Sequence, residues 1–249
     1  MATGHPEIEQ QFAAFTGVAS RPGWRPTREV IDSEVPALVE SLAQIREASP
    51  AVAGSLFVLE YARRLSWPVL AAHLRDGAWL DPGRHNVHLA ADPGPPRIGF
   101  AQAASTDGPR GTGEVVGALV HHLDHLVEAV RRTTRVGRRT LWGNVAVAVA
   151  QAFMALSWAS PGRNRFAERA ERGLEGNDRL RGLVTVDAVH HDGEDWMVVW
   201  RRTCCLAFRC DSAGPEPRYC GTCPVLGRSE KEAGFRRAAT RYVRMTTPR

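Results

Sequence analysis

Apolar residues recur at helical intervals along most of the chain. With prolines and polar capping residues marking the ends, this periodicity predicts helices over residues 7–15, 33–47, 51–64, 114–135, 141–157, 163–175 and 229–244. Ser33 is expected to cap the second helix, and Ser229 and Glu232 to form a capping box on the last. Because a short basic turn joins the helices at 114–135 and 141–157, we expect them to form an antiparallel pair.

Two pairs of short apolar runs predict β-hairpins. Residues 85–90 and 97–101 flank a turn rich in proline and glycine, and residues 183–189 and 196–200 flank the sequence His-Asp-Gly. The sequence thus predicts an α+β fold, predominantly helical, with short antiparallel hairpins.

A polar, glycine-containing segment at 105–113 is the one plausible boundary in the chain. It would separate an N-terminal α+β region, 1–104, from residues 105–249, which hold the helical pair, the second hairpin and a cysteine-containing C-terminal segment. We expect the two parts to form one integrated fold.

Composition sets further bounds. The chain has 249 residues, 43% of them apolar, which is enough for a sizeable core. The longest apolar run, 145–159, contains Gln151 and is shorter than the roughly 20 residues that a bilayer requires. The first twelve residues resemble no secretory signal. We therefore expect a cytoplasmic protein without stable membrane insertion.

Positive charge is concentrated at the C-terminal end. The net charge of the whole chain is +5, whereas residues 200–249 contain eleven Arg and Lys against four Asp and Glu. Such an end suits an anionic ligand or an acidic protein partner. Nucleic acid is not expected, since no helix-turn-helix or zinc-finger spacing accompanies the charge and aromatic residues make up only 7% of the chain.

All five cysteines lie within twenty residues, at Cys204, Cys205, Cys210, Cys220 and Cys223, and residues 1–203 contain none. In a cytoplasmic chain such a cluster indicates a metal site rather than disulfides, because the compartment keeps thiols reduced. The last two cysteines form a CxxC turn that presents two thiolates to one target.

The adjacent pair bears on the identity of the metal. Structural zinc sites use cysteines two to four residues apart, and neighbouring side chains on an extended backbone leave on opposite faces, so Cys204 and Cys205 converge poorly on one ion. A [2Fe-2S] cluster offers two irons and requires four thiolates. The spacing favours iron–sulfur and leaves zinc open.

The sequences RRTCCL at 201–206 and YCGTCP at 219–224 resemble the C-terminal signature of the FhuF-type ferric siderophore reductases. The resemblance implies that Cys204, Cys205, Cys220 and Cys223 hold a [2Fe-2S] cluster. In that family ten residues separate the two pairs, whereas fourteen separate them here. The longer interval includes Cys210, which we interpret as a free thiol on a loop, although replacement of one ligand stays open. The Leu-Trp-Gly-Asn sequence at 141–144 is also similar to that family.

The function implied by this resemblance is one-electron reduction of a ferric siderophore to release Fe(II). The helical body would form the substrate cleft. A cationic rim would hold the siderophore or an acidic electron donor, and its expected residues are Arg201, Arg202, Arg236 and Arg237. Because the chain has neither a G-x-G-x-x-G motif nor a P-loop, we expect an external donor, a ferredoxin or a flavin reductase. The alternatives are a zinc-stabilised binding module and an iron–sulfur redox-sensing regulator.

Three histidines invite a second metal hypothesis. His121 and His125 are four residues apart on one predicted helix face, next to His122. The motif lacks the glutamate of a His-Glu-x-x-His site, so we interpret the three as part of a polar helix face.

Overall fold

The structure is a computed structural model, and it describes residues 10–90, 92–107, 111–160, 163–210 and 219–246. Six long α-helices lie in these ranges: α1 (Thr27–Ile45), α2 (Pro50–Asp76), α3 (Thr112–Thr134), α4 (Arg138–Trp158), α5 (Asn164–Glu175) and α6 (Arg228–Thr246). The strands are β1 (Trp24–Pro26), β2 (Val87–Ala90), β3 (Arg97–Phe100), β4 (Val184–His191) and β5 (Glu194–Arg201). With 57% of the described residues helical and two small antiparallel sheets among them, the predicted α+β fold is confirmed.

Helix α4 lies at the centre of the molecule. It packs most extensively against α2 and only weakly against α3, so the expected pairing of α3 with α4 is not the main helix contact. The reason is that α4 is apolar on all its faces, and a helix of that kind is enclosed by several neighbours. By length and composition α4 alone among the described helices could cross a membrane, and 78% of its most apolar window is buried inside the protein.

Two helices extend beyond their predicted ends. Helix α1 begins six residues before Ser33, whose hydroxyl donates to the carbonyl of Glu29 (3.0 Å) within the helix instead of capping it. Helix α2 continues through Pro68 and ends at Gly77, whose φ of +62° suits a glycine. An interior proline costs about 3 kcal/mol, but the buried side chains around it each contribute about 1.5–3 kcal/mol.

The two ends of the chain also differ from prediction. Residues 7–9 of the first predicted helix lie outside the described ranges, and the described remainder is helical only over 10–12. The chain then runs beside β3, where the amide of Phe100 donates to the carbonyl of Phe15 (2.7 Å). At the other end α6 begins at Arg228, and the carboxylate of Glu232 pairs with this arginine and with Arg236 rather than capping the helix.

Strands β4 and β5 form the predicted hairpin, and β5 positions the start of the cysteine segment. Asp192 and Gly193 in the turn both have positive φ (51° and 79°), as two-residue hairpin turns of this twist require. Strand β5 is buried over 196–201 between α4 and α6, and its end leads directly to the first cysteines.

One hydrophobic cluster includes residues from both sides of residue 105. It extends in sequence from Phe12 to Cys210 and contains buried side chains of all the helices from α1 to α5. The two parts of the chain thus share apolar contacts, while the division at residue 105 stays a prediction.

Candidate functional site

The end of β5 brings the two cysteine pairs together. Cys204 and Cys205 come shortly after Arg201, the last residue of the strand. The CxxC turn docks back onto this point because the amide of Arg201 donates to the carbonyl of Thr222 (3.3 Å). The turn itself is closed by the amide of Cys223, which donates to the carbonyl of Cys220 (2.8 Å). Residues distant in sequence thus share one small region.

The four thiols differ in exposure. Cys205 and Cys223 are 4% and 3% exposed, whereas Cys204 and Cys220 are only half-buried. None of the five cysteines, which all lie in the described ranges, forms a disulfide. The backbone amide of Leu206 donates to Sγ of Cys204 (3.3 Å), the kind of N–H contact that stabilises a thiolate. Leu206 adopts a φ of +67°, and this left-handed residue turns the chain back after the adjacent cysteines.

Cys205 and Cys220 interact directly, and their pKa values move apart. The thiol of Cys205 donates to Cys220, and this hydrogen bond, assisted by the charge of Arg201, lowers the pKa of Cys220 to about 6. The same hydrogen bond, together with burial, raises the pKa of Cys205. Near neutral pH the metal-free pair therefore consists of one thiolate and one thiol, and a thiolate is the form that binds metal.

Arg201 is a buried positive charge beside these sulfurs. It is 5% exposed and therefore does not lie on an exposed rim, which corrects the expectation from the sequence. Its guanidinium donates to Oδ1 of Asn144 (2.8 Å), and within the described ranges no carboxylate pairs with it. A buried cation without a carboxylate favours anionic neighbours, so Arg201 acts to lower the pKa of both Cys205 and Cys220.

A chain of buried hydrogen bonds joins the cysteine loop to the central helices. The amide of Asn144 on α4 donates to the carbonyl (2.7 Å) and hydroxyl (2.9 Å) oxygens of Ser55 on α2. The hydroxyl of Ser55 donates in turn to the carbonyl of Cys205 (2.8 Å). Together with the bond from Arg201 to Asn144, these contacts hold the loop at both ends, and all four residues are buried.

Gly143 allows the loop to approach α4 closely. A Cβ atom at this position would overlap Oγ1 of Thr203 and lie 2.8 Å from its Cβ, a separation that no packing tolerates. The Leu-Trp-Gly-Asn segment therefore contributes the glycine on which the loop rests and the asparagine that binds Arg201. In the sequence this segment was recognisable only as a family feature, and Ser55 carried no signal at all.

The other three expected rim arginines lie at the surface. Arg202 is exposed, and its Nε donates to the hydroxyl of Thr185 (3.1 Å). Arg236 pairs with Glu232, and Arg237 lies beside it on the exposed face of α6. No hydrogen bond or ion pair joins either of these two α6 arginines to a cysteine in the part of the chain that the structure describes.

Cys210 is buried rather than exposed on a loop. It is 8% exposed and belongs to the main hydrophobic cluster, just after a 3₁₀ turn at Ala207–Arg209. It lies outside the regular helices and strands, and its role stays a prediction. The next eight residues, 211–218, lie outside the described ranges.

The donor set suits an iron–sulfur cluster in its chemistry. Such clusters are held by cysteine thiolates and are tuned by hydrogen bonds to sulfur and by nearby charge. The amide of Leu206 makes a hydrogen bond of this kind, and Arg201 supplies a nearby charge. Among the described residues no group of three or more His, Cys, Asp or Glu is arranged to hold a metal ion, and this applies to the four cysteines as well as to the three histidines of α3. His122 is instead buried, with Tyr61 (2.7 Å) and the carbonyl of Pro82 (2.7 Å) as its partners.

Comparison with known proteins identifies the central helices. Residues 55–175, just under half of the chain, match the family described as "Ferric iron reductase FhuF-like transporter". No curated protein and no solved structure matches the chain. The matching segment begins at Ser55 and includes Gly143 and Asn144, whereas the cysteines lie beyond its end. The family that this segment matches is the one that the cysteine motif resembles.

Proposed function

We propose that this protein is a cytoplasmic ferric siderophore reductase whose [2Fe-2S] cluster is held by Cys204, Cys205, Cys220 and Cys223. The match to the family model supports a role in ferric iron reduction related to siderophores. The observation that best supports a cluster at these cysteines is the buried hydrogen-bond chain. It links the helices that match the family to the loop that holds the adjacent cysteines.

The reaction is a release step. Hard oxygen donors hold Fe(III) far more tightly than Fe(II), so adding one electron to a ferric siderophore loosens the metal. A bound [2Fe-2S] cluster supplies that chemistry as a one-electron carrier whose potential depends on charge, hydrogen bonds to sulfur and exposure.

The residues around the cysteines have distinct tasks. Arg201 offsets negative charge on the thiolates, which raises the potential of the site, and the amide of Leu206 acts in the same direction. Cys205 and Cys223 face the interior, so substrate and donor approach from the side where Cys204 and Cys220 reach the surface.

The exposed surface on that side is basic and partly apolar. Arg202 and Arg209 are exposed there, as are Tyr219 and Val225, which flank the CxxC turn. This combination suits an anionic ferric siderophore or the acidic surface of an external electron donor, such as a ferredoxin or a flavin reductase.

Anaerobic purification and a count of iron, zinc and acid-labile sulfide test the proposal. We expect about two irons and two sulfides per chain, and a visible spectrum that bleaches on reduction and returns when a ferric siderophore is added. Stoichiometric zinc without sulfide would instead identify the zinc-stabilised binding module. A cluster that does not reoxidise with the siderophore, but whose loss changes affinity for DNA, would identify the redox-sensing regulator.

A further inference from the structure

An arginine-rich groove lies away from the cysteines, between α2 and the N-terminal segment that runs beside β3. It consists of two contiguous cavities of about 960 Å³ and about 370 Å³, which share Phe15, Arg64 and Ile98 in their linings. We call it the arginine groove, and its arginines are Arg21, Arg46, Arg63, Arg64 and Arg97. Each of the two cavities is within the size range of small-molecule sites.

The groove has more arginines than carboxylates to pair with them. Glu60 is the one acidic residue in the lining of the two cavities, and it pairs with Arg46 (3.0 Å). Arg97 pairs with Asp92 at the edge. The remaining three arginines have no carboxylate partner in the described ranges, so the groove carries an uncompensated charge of about three.

Arg64 is the centre of this excess. It lines both cavities, is exposed, and makes no hydrogen bond or ion pair with any described residue. Its charge acts on the neighbouring guanidinium of Arg63, whose pKa is lowered by burial and then by Arg64. Neighbouring cations with no anion between them repel each other, so binding of an anion at such a site is electrostatically favourable.

The surrounding contacts hold the arginines in place before a ligand arrives. The guanidinium of Arg63 lies 4.4 Å from the centre of the Trp67 ring and donates to Gln11 (2.6 Å), and that of Arg21 lies 4.5 Å from the centre of the Phe15 ring. Stacking of this kind restricts side chains that would otherwise lose entropy on binding.

We propose that the arginine groove binds a small polyanion, a molecule that presents several negatively charged oxygens to Arg64 and its two unpaired neighbours. Two sources share this chemistry. One is a metal chelate whose catecholate oxygens leave it with several negative charges, and the other is a phosphate ester or pyrophosphate.

Titration calorimetry on the full chain at low ionic strength tests the proposal with three probes. These are an anionic gallium(III) tris-catecholate, a neutral gallium(III) tris-hydroxamate and inorganic pyrophosphate. Gallium(III) is not reduced, so binding is measured independently of electron transfer, and failure of the proposed function would leave this result unchanged. We expect saturable binding of the anionic chelate; binding of pyrophosphate instead supports the same site with the phosphate source.

Matched variants decide whether the groove is the site. Arg64→Gln is expected to weaken binding of the polyanion at least about tenfold, and Arg64→Lys to restore part of the loss, since a lysine keeps the charge. Arg139→Gln removes the same charge from an exposed position on α4 and should change the affinity less than about twofold. Equal effects of Arg64→Gln and Arg139→Gln, equal binding of the neutral chelate, or no saturable binding of either anionic probe would each overturn the proposal.

Discussion

Replacing Asn144 by alanine tests whether the buried hydrogen-bond chain holds the cysteine loop. The substitution removes the acceptor of Arg201 and the donor of two bonds to Ser55. A hydrogen bond to a charged group contributes about 1.5–3 kcal/mol and each neutral one about 0.5–1.5 kcal/mol. We therefore expect the free energy of unfolding to fall by about 3–5 kcal/mol, a large part of the roughly 5–15 kcal/mol of a typical protein.

The control is a second buried asparagine remote from the cysteines. Asn86 is buried and makes two neutral side-chain hydrogen bonds, to the carbonyl of Asp81 (2.9 Å) and from the amide of Gln102 (2.8 Å). Asn86→Ala should lower the free energy of unfolding by about 1–3 kcal/mol. Both values come from urea unfolding of the metal-free protein.

A second measurement distinguishes local opening of the cysteine loop from a loss of global stability. Alkylation of individual cysteines under native conditions, read out by mass spectrometry, reports how often the loop opens. We expect Asn144→Ala to accelerate labelling of Cys205 at least about tenfold and Asn86→Ala to leave it within about twofold of wild type. A loss of stability below about 1 kcal/mol in Asn144→Ala, or equal acceleration of labelling in both variants, would contradict a holding role for this asparagine.

Three further predictions concern the ligands, the central helices and pH. Cys220→Ser should abolish the visible colour of anaerobically purified protein, whereas Cys210→Ala should keep it, because only the former is a proposed ligand; the opposite pattern in the two spectra would reassign the ligand set. Gly143→Ala should lower the free energy of unfolding by about 2–3 kcal/mol because its Cβ collides with the loop, whereas Gly117→Ala, with open space around its Cβ, should raise it by about 0.5–1 kcal/mol; equal melting temperatures for the two would contradict the close approach. Burial lowers the pKa of His122 to about 3, so below about pH 6.5 the unfolded chain binds a proton that the folded chain does not, and stability should fall by up to about 1.4 kcal/mol per pH unit between about pH 6.5 and 3. His122→Gln should remove this part of the slope in urea unfolding at several pH values, and an unchanged slope would mean that this histidine titrates normally when folded.

The local sequence pattern was sufficient to predict most helices and strands, but not where they begin and end. The second hairpin was predicted because alternation and a His-Asp-Gly turn lie within a few residues of each other. Strand β1, three residues long, left no pattern, since it pairs with β2, a strand far away along the chain. Helix α2 continued beyond its predicted end at residue 64 and through Pro68, because burial among distant residues outweighs one missing hydrogen bond.

Three features could be established without coordinates: five thiols lie together near the C-terminus, α4 has no polar face, and the chain resembles one family. The surroundings of the thiols became known only from the folded chain, which places Arg201 inside rather than on a rim and brings Ser55 next to the carbonyl of Cys205. A buried polar group needs a partner wherever the fold can supply one. Ser55 bonds to Cys205 and Asn144 to Arg201, and both partners are far away in the sequence. No local sequence pattern could therefore predict these hydrogen bonds.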